Sequence, residues 1–587
     1  MRQHAHATAR NATRRIPFLF RLLRSRRLRW LALCVTAALL LSSCVQERKA
    51  QHADRREESQ AGRVAQNAPA PPSTQTANAN TMAYDAKTPS ASPMSTDQPS
   101  RSRTEKDEQE FNTEAYNHIE ENPFLDATRA PLSTFSIDVD TASYSNMRRF
   151  LNEGHLPPKD AVRIEELINY FNYDYPQPVG DAPFSVTTEV AQCPWNSAHR
   201  LVHIGLQGRR LDRAQMPAAN LVFLVDVSGS MEEPNKLPLV KSSLSMLAEQ
   251  LTARDHVAIV VYAGNSGLVL PSTPGDRKGE ILAALDGLEA GGSTNGGAGI
   301  QLAYKLAQEN FIRGGINRVI LATDGDFNVG VTSEGELVRL IEEKRQSGVF
   351  LSVLGFGTGN VKDATMEQLA DKGNGNYAYI DTAAEARKVL GEQLGGTLAT
   401  IAKDVKLQLE FNPTKAAAYR LIGYENRLLR DEDFNDDTKD AGEMGAGHTV
   451  TALYEVVPAG QRWENPGVDP LKYQEPLHQS ARAQSDELLT IKILYKQPDA
   501  DVSKLLSVGI ADGTGAVAQA SNNFKFSAAV AAFGLVLRDS KYKGAANYNN
   551  VAALARGATG QDPQGYRTEF VKLVETAQTL SLQSARR

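Results

Sequence analysis

The chain has 587 residues, which exceeds a single compact domain at about 100–200 residues per domain. Its 64 Lys and Arg against 69 Asp and Glu give a formal net charge of -5, so bulk charge does not indicate nucleic acid as a partner and we expect none. Hydrophobic residues make up 41% of the sequence, which is enough for several cores. The three cysteines, at 34, 44 and 193, are too few for a disulfide-dense scaffold.

The N-terminal residues 1–43 have the composition of an export signal. Residues 1–29 contain nine arginines and no acid, and an apolar run follows at 30–41. A transmembrane helix needs about 20 apolar residues, so this shorter run predicts a cleaved signal peptide. The run ends in Leu41-Ser-Ser-Cys44, which resembles a bacterial lipobox and implies lipidation of Cys44. The resemblance also implies the cell envelope. Under the Gram-negative sorting rule, Val45 in place of Asp favours the outer membrane, facing the periplasm or the surface.

Residues 44–105 carry the lipidated cysteine and a segment rich in Ala, Ser, Thr, Gln, Asn and Pro. Such a composition cannot bury enough apolar surface to fold, so the segment is predicted to be a disordered linker. About 60 flexible residues would reach about 40 Å from a membrane.

The region 106–180 is predicted to be a small α/β region before the main domain. A strand-like run covers 132–140, and helix-like runs cover 144–151 and 161–171. The region 181–215 follows with two β-type runs, at 184–190 and 201–206.

Residues 219–396 alternate short apolar runs with amphipathic stretches. The apolar runs are 221–225, 257–262, 318–322 and 349–354, and the amphipathic stretches between them include 236–251, 297–310 and 334–346. The apolar runs do not alternate apolar and polar residues, which is typical of strands that are buried on both faces. The pattern therefore predicts a doubly wound, Rossmann-like, mainly parallel sheet with helices on both sides.

Residues 400–510 are predicted to be β-rich and 511–587 helical. Alternating runs at 405–411, 450–456 and 488–495 suggest half-exposed antiparallel strands of a β-sandwich, and helices are predicted at 526–537 and 564–581. We expect the strands of 181–215 to pair with those after 400. The α/β domain would then be inserted into one sandwich, with helical segments towards both ends of the chain.

Oxygen-bearing side chains cluster where two of the buried strands end. The first strand leads into Asp226-Val-Ser228-Gly-Ser230, and a later one ends at Asp324. Thr294 lies between them in a Gly-rich loop that opens a helix. Because ligands of open α/β sheets bind at the carboxyl edge of the strands, we expect these segments to converge there. With no His or Cys among them, the donors suit Mg²⁺ or Mn²⁺ rather than Zn²⁺.

These residues resemble the metal-ion-dependent adhesion site of the von Willebrand factor type A (VWA) domain, whose motif is Asp-x-Ser-x-Ser with a distant Thr and a distant Asp. The resemblance implies that Ser228, Ser230 and Thr294 bind Mg²⁺ (or Mn²⁺ or Ca²⁺) directly. Asp226 and Asp324 would bind the ion directly or through water. The family leaves one coordination position for an Asp or Glu carboxylate of a partner, which implies a protein ligand.

The order of segments around this domain resembles the YfbK-like family of bacterial VWA lipoproteins. The segments that carry the resemblance are 135–144 and 171–176 before the domain and 440–454 after it. The resemblance covers residues 110–580 and implies architecture more than biochemistry.

We therefore interpret the chain as a membrane-anchored envelope lipoprotein that binds a protein through a metal site, and not as an enzyme. Two alternatives stay open. One is a metal-dependent hydrolase or an accessory to a metal-chelating ATPase, for which the sequence places no general base or nucleophile near the ion. The other is a scaffold whose metal site is purely structural.

Three further patterns are interpreted as structural. Asp138-Val-Asp140-Thr141 resembles a phosphohydrolase nucleophile motif, but a strand-to-helix turn with Thr141 or Ser143 as N-cap is favoured. The acidic run 431–437 lacks the Gly and Glu of a calcium loop, so a solvated loop is favoured. The third pattern is a set of histidines that lie within strand-like runs or at their edges, namely His203, His256 and His448.

Overall fold

The computed structural model describes residues 114–264, 266–292, 296–325, 334–463, 472 and 479–586. All of them belong to one unit of the chain, Lys106–Arg587. The predicted signal peptide and the predicted linker therefore lie outside the described residues. Within the described ranges, no helix is both long enough and apolar enough to cross a membrane.

Sixteen strands are present in the described part of the chain. In chain order they are β1 (Leu125–Asp126), β2 (Leu132–Ser136), β3 (Phe184–Cys193), β4 (Asn196–Gly208), β5 (Ala219–Asp226), β6 (His256–Tyr262), β7 (Ser266–Pro274), β8 (Ile316–Thr323), β9 (Phe350–Phe356), β10 (Tyr377–Ile380), β11 (Thr400–Phe411), β12 (Ala416–Ile422), β13 (Gly442–Gly445), β14 (Thr449–Pro458), β15 (Glu487–Lys496) and β16 (Lys504–Ala511).

Twelve α-helices are present in the same ranges. They are α1 (Ala142–Asn152), α2 (Ile164–Asn169), α3 (Leu237–Gln250), α4 (Lys278–Asp286), α5 (Gly296–Glu309), α6 (Glu334–Arg345), α7 (Asp363–Lys372), α8 (Ala383–Arg387), α9 (Leu394–Leu398), α10 (Asn522–Leu537), α11 (Tyr548–Arg556) and α12 (Tyr566–Ser584). Short 3₁₀ or π-helical turns cover Lys159–Ala161, Gly229–Glu232, Lys388–Glu392, Glu425–Arg427, Asp431–Asn435, Ala481–Gln484 and Val517–Gln519.

The central sheet has six strands in the order β10-β9-β8-β5-β6-β7, and all are parallel except the edge strand β7. Every residue of β5 is buried. Leu221 and Phe223 belong to the core that also contains Leu244 of α3, whereas Val222 belongs to the core that contains Tyr304 of α5. Alternate residues therefore face helices on opposite sides of the sheet, and the predicted doubly wound α/β sheet is confirmed.

Two antiparallel sheets form the sandwich that flanks the central sheet. One has the order β1-β12-β14-β4-β3, and the other has β13-β11-β15-β16 with β2 also paired to β11. Phe411 of β11 stacks on Tyr419 of β12 with ring centroids 3.8 Å apart, so side chains of the two sheets meet in one core. Strand β4 precedes the parallel sheet and pairs directly with β14, which follows it. The predicted pairing across the inserted α/β domain is therefore confirmed.

The helices near the two ends of the described chain share a separate core. Phe171, just after α2, contacts Phe526 of α10 and Phe570 of α12 with ring centroids 4.9 and 5.7 Å apart. Met147 of α1 and Phe533 of α10 belong to the same buried cluster. The N-terminal and C-terminal helical segments therefore stabilise each other, which the sequence pattern did not predict.

Two element lengths in the N-terminal region were predicted wrongly. The strand predicted over 132–140 ends at Ser136, because the Asp138 carboxylate accepts the backbone N–H of Asp140 at 2.8 Å and forms a tight turn. The helix predicted over 161–171 covers only Ile164–Asn169. The backbone N–H of Arg163 donates to the Ser143 hydroxyl at 2.9 Å, which ties the start of this segment to α1.

The predicted capping of α1 is corrected in detail. Thr141 occupies the N-cap position, but its side chain makes no capping hydrogen bond. The carboxylate of Glu166 accepts the backbone N–H of Ser143 at 2.8 Å instead. A carboxylate near a helix N-terminus satisfies the same free amide groups and favours the helix dipole.

The acidic segment 431–437 is more ordered than the predicted solvated loop. Asp431–Asn435 forms a 3₁₀ turn. Asp431 accepts a hydrogen bond from the Thr134 hydroxyl at 2.8 Å, and the ammonium of Lys406 donates to the backbone carbonyl of Asp436 at 2.5 Å. These contacts attach the segment to the sandwich.

Candidate functional site

The predicted metal-ligating residues of β5 and β8 lie at one edge of the central sheet. Asp226 is the last residue of β5, and Asp324 follows the last residue of β8. The two strands are parallel neighbours, with Val225 opposite Ala322, so both carboxylates emerge at the same end. Both residues are fully buried.

A hydrogen-bond network fixes the turn after β5. The Asp226 carboxylate accepts the backbone N–H of Ser228 at 2.9 Å and the Thr323 hydroxyl at 3.2 Å. The hydroxyl oxygens of Ser228 and Ser230 are 3.1 Å apart. Ser228 is buried, whereas Ser230 is exposed. The turn therefore directs two hydroxyls to one point, of which the second is open to solvent.

The Gly-rich loop is tied to the same turn from the other side. The backbone N–H of Gly229 donates to the carbonyl of Gly292 at 3.0 Å, and that of Gly291 donates to the carbonyl of Val227 at 2.7 Å. Helix α5 begins at Gly296, just beyond this loop. Thr294 itself lies outside the described residues, as does Cys44.

The electrostatics of the edge favour a cation. Burial raises the pKa of Asp226 to about 6, the hydrogen bonds from Ser228 lower it, and the negative charge of Asp324 raises it further. A cation close to both carboxylates would favour their ionised forms. All the described donors are oxygens, so their chemistry fits a hard divalent ion such as Mg²⁺.

Lys236 is one of the site residues that the sequence analysis missed, and Asn360 is another. Lys236 precedes α3 and is only 3% exposed. Its ammonium lies 3.3 Å from the Asp324 carboxylate and 3.4 Å from the side-chain oxygen of Asn360. The amide of Asn360 also donates to Asp324 at 2.9 Å. The ammonium beside Asp324 shows that this edge accommodates positive charge. The sequence analysis missed Lys236 because no known motif places a lysine ten residues after the first Asp of the site.

A second group of buried carboxylates has different surroundings. Atoms of Asp138, Glu166 and Glu367 lie within 4.8 Å of one another. Arg427 forms an ion pair with Asp138 at 3.0 Å, and Arg163 forms ion pairs with Glu166 and, at 3.6 Å, with Glu367. These carboxylates have guanidinium partners, so the structure supports the structural interpretation of the Asp138 motif.

Three family models match the chain. Residues 220–392 match the model of the von Willebrand factor type A domain. Residues 396–580 match a model described as uncharacterized protein YfbK, C-terminal, and residues 110–203 match one described as von Willebrand factor. The chain is 45% identical over 475 residues to the uncharacterized protein YfbK of Escherichia coli (strain K12), which covers 79% of this chain and 81% of that protein. The chain belongs to the YfbK family of VWA proteins.

Other similarities of this YfbK-family chain are more distant. It is 30% identical over 161 residues to the human inter-alpha-trypsin inhibitor heavy chain H4, which covers 26% of the chain and 17% of that protein. A solved structure, von Willebrand factor type A from Catenulispora acidiphila, covers 68% of the chain and 91% of its own with 17% identity and a TM-score of 0.39. The VWA domain gives this family member a protein-interaction or metal-binding scaffold.

Proposed function

We propose that the VWA domain binds a divalent cation through Asp226, Ser228, Ser230, Thr294 and Asp324 and presents it to a partner protein. The observation that carries this proposal is the convergence of two buried carboxylates and two serine hydroxyls at one sheet edge. The exposed Ser230 supports access from solvent on one side. This arrangement supports a binding role rather than catalysis.

The ion would attract an anionic ligand because its charge is incompletely neutralised at this edge. Of the two carboxylates, Asp324 shares its negative charge with the ammonium of Lys236. Bound cations are often the largest local charges in a site, so a divalent ion here favours an incoming carboxylate. An Asp or Glu side chain of a partner protein would supply it. Mg²⁺ suits the oxygen donors, and Mn²⁺ or Ca²⁺ are the alternatives.

We further propose that Cys44 is lipidated after removal of residues 1–43 and that residues 44–105 are a linker to the cell envelope. The domain division then assigns 106–180 and 181–215 to regions before the VWA domain. It assigns 219–396 to that domain, 400–510 to the sandwich strands that follow, and 511–587 to the C-terminal helices. Placement at the outer membrane, facing the periplasm or the surface, belongs to this proposal.

The proposal is tested by capture of envelope proteins on the immobilised chain with Mg²⁺ or with EDTA. Ser230→Ala removes one proposed ligand at an exposed position, so the fold is expected to persist. Ser242→Ala, at an exposed position of α3, is the matched control. We expect the wild type and the control to capture the same proteins with Mg²⁺ only, and Ser230→Ala to capture none.

Equal capture by all three proteins in Mg²⁺ and in EDTA would contradict the proposal. If chelation also lowered the melting temperature, the ion would be structural and the chain a scaffold. Mass spectrometry of the captured proteins identifies the partner, and replacement of its acidic residues tests whether a carboxylate reaches the ion.

A further inference from the structure

A cavity of about 610 Å³ lies at the opposite end of the central sheet from Asp226 and Asp324. Its wall includes the start of β8, from Ile316 to Arg318. The residues from Arg318 to Asp324 span about 20 Å at about 3.3 Å per strand residue. The cavity is therefore separate from the proposed metal site.

The cavity also touches both connections between the VWA domain and the sandwich. Arg209 and Pro217 lie in the segment from β4 to β5, and Leu398 and Lys403 lie in the segment that leads from α9 into β11. These are the two places at which the chain enters and leaves the inserted domain. A molecule in this cavity would contact both connections at once.

Arg318, in the wall of this cavity, is a buried arginine. It is 2% exposed, and its Nη1 donates to the Ser352 hydroxyl at 2.5 Å and to the side-chain oxygen of Asn376 at 3.5 Å. Its Nε is buried without a hydrogen-bond partner, and Arg318 makes no ion pair with a carboxylate of the described residues. Its guanidinium also lies 5.7 Å from the ring centroid of Phe350. A buried guanidinium without a counter-charge is costly, so an anion at this position would stabilise it.

One carboxyl group acts on Arg318 from a distance. Glu443 favours the charged guanidinium electrostatically, yet burial lowers the pKa of Arg318 to about 10. Burial, Asp440 and Asp404 together raise the pKa of Glu443 well above its usual range. The charged form of Glu443 is therefore disfavoured, which weakens the electrostatic support that it gives to Arg318.

Other basic side chains line the same cavity. Arg209 donates to the carbonyl of Ala182 at 2.7 Å, and neither Arg209 nor Lys403 makes an ion pair with a described carboxylate. Arg345 also lines the cavity but is paired with Asp440 at 2.5 Å. The acidic lining residues, Asp181 and Asp499, are both exposed. Positive charge is therefore in excess on the inner wall.

We infer that this cavity binds a small anion that carries two or more phosphate or carboxylate groups. Arg318 lines the cavity, so its positive charge would attract the anion, and Arg209 and Lys403 would contribute further charge. Guanidinium groups match the geometry of phosphate and carboxylate. The cavity volume lies within the range of about 300–1,000 Å³ that is typical of small-molecule sites. The bound anion would stabilise the junction between the VWA domain and the sandwich.

The test is calorimetric titration of the full chain with inorganic phosphate, pyrophosphate and citrate at constant ionic strength. Loss of one charge-assisted hydrogen bond typically weakens binding about 10-fold to 100-fold. We expect pyrophosphate or citrate to bind and to raise the melting temperature above the value in NaCl, and Arg318→Met to weaken binding by that factor. Arg254→Gln, at an exposed position outside the cavity, is expected to bind as the wild type does.

Because Arg318 is buried, Arg209→Gln and Lys403→Gln provide a second test that does not depend on a core substitution. Each is expected to weaken binding, and a preference for pyrophosphate or for citrate distinguishes phosphate from carboxylate ligands. Ser230→Ala is expected to leave the titration unchanged, which separates this inference from the proposed metal site. Absence of binding by all three anions, or equal binding by the wild type and the Arg209 and Lys403 variants, would overturn it.

Discussion

Asp226 and Asp324 at the edge of the parallel sheet and Asp138 and Asp140 at the junction with the sandwich are buried carboxylates of the same residue type. Asp138 and Asp140 face Arg427, which forms ion pairs with them at 3.0 and 3.4 Å. Asp226 instead accepts hydrogen bonds from a hydroxyl and a backbone amide. Burial is common to these four carboxylates, whereas their neighbouring groups differ, and Asp324 also has the ammonium of Lys236 at 3.3 Å. We expect carboxylates without a guanidinium partner to be the ones that can bind a metal ion.

The largest expected effect is on stability at the junction. Arg427→Met would leave the buried carboxylates of Asp138 and Asp140 and the half-buried carboxylate of Asp371 without this guanidinium partner. Breaking a buried ion pair by removing one partner typically costs about 3–5 kcal/mol. We expect a decrease of that size in the free energy of unfolding, measured by urea denaturation.

The matched control is Arg430→Met, three residues away, where the guanidinium is largely exposed and pairs with Asp433. It is expected to leave the urea midpoint nearly unchanged. Similar destabilisation by the two variants would contradict the distinction between the buried junction and the surface.

The next effect concerns His203, a buried base that has no carboxylate partner among the described residues. His203 is hydrogen-bonded to the Tyr175 hydroxyl at 2.9 Å, and burial lowers its pKa to about 4. The unfolded chain binds this proton near pH 6.5 and the folded chain only near pH 4. The folded state therefore loses stability as the pH falls through this window, by up to about 1.4 kcal/mol per pH unit.

His203→Gln removes this titration. We expect the free energy of unfolding of the variant to fall less steeply than that of the wild type between pH 6.5 and pH 4.5. Urea denaturation at several pH values measures both slopes, and equal slopes would show that His203 is not held neutral in the fold.

A smaller effect is expected at the proposed metal site. Lys236→Met removes the ammonium that lies 3.3 Å from the Asp324 carboxylate. Without this competing positive charge, we expect Mn²⁺ to bind about 10-fold more tightly, which corresponds to about 1.4 kcal/mol. Lys241→Met on α3 is the control, since its ammonium donates to the carbonyl of Asp286 instead. Weaker Mn²⁺ binding by Lys236→Met would show that the lysine orients the ligands rather than competes with the ion.

The smallest effect is expected at the start of α1. Thr141 makes no capping hydrogen bond, so Thr141→Ala is expected to change the free energy of unfolding by less than about 0.5 kcal/mol. Ser521, by contrast, caps α10 by accepting the backbone N–H of Phe524 at 3.1 Å. Ser521→Ala is therefore expected to cost about 1 kcal/mol. Thermal denaturation of the two variants measures the loss of stability in each. An equal loss would indicate that the Thr141 side chain does cap α1.

Much of the fold follows from local sequence patterns. The apolar run 221–225 predicts a strand that is buried on both faces, and β5 is such a strand. The motif at 226–230 predicts a turn at the carboxyl edge because Asp226 ends the apolar run. The parallel pairing of β5 and β8 places Asp324 at the same edge of the sheet as Asp226.

The remaining features depend on contacts between distant residues. Arg427 contacts Asp138 across 289 positions, and Arg163 contacts Asp363 across 200. No periodicity of one sequence records such pairs. Lys236 was missed for a similar reason, because a lysine just before a helix is usually on the surface and only the packed structure buries it against Asp324.

The central claim is that the sheet edge binds one divalent ion through Asp226 and the serine hydroxyls of the same motif. Its most direct test is a titration of the full chain with Mn²⁺ in which electron paramagnetic resonance measures the free ion. The wild type, Ser230→Ala and Ser242→Ala are compared. We predict one site per chain in the wild type and in Ser242→Ala, and a loss of affinity of at least about 10-fold in Ser230→Ala. Identical binding curves for the three proteins, or no binding by the wild type, would contradict the claim.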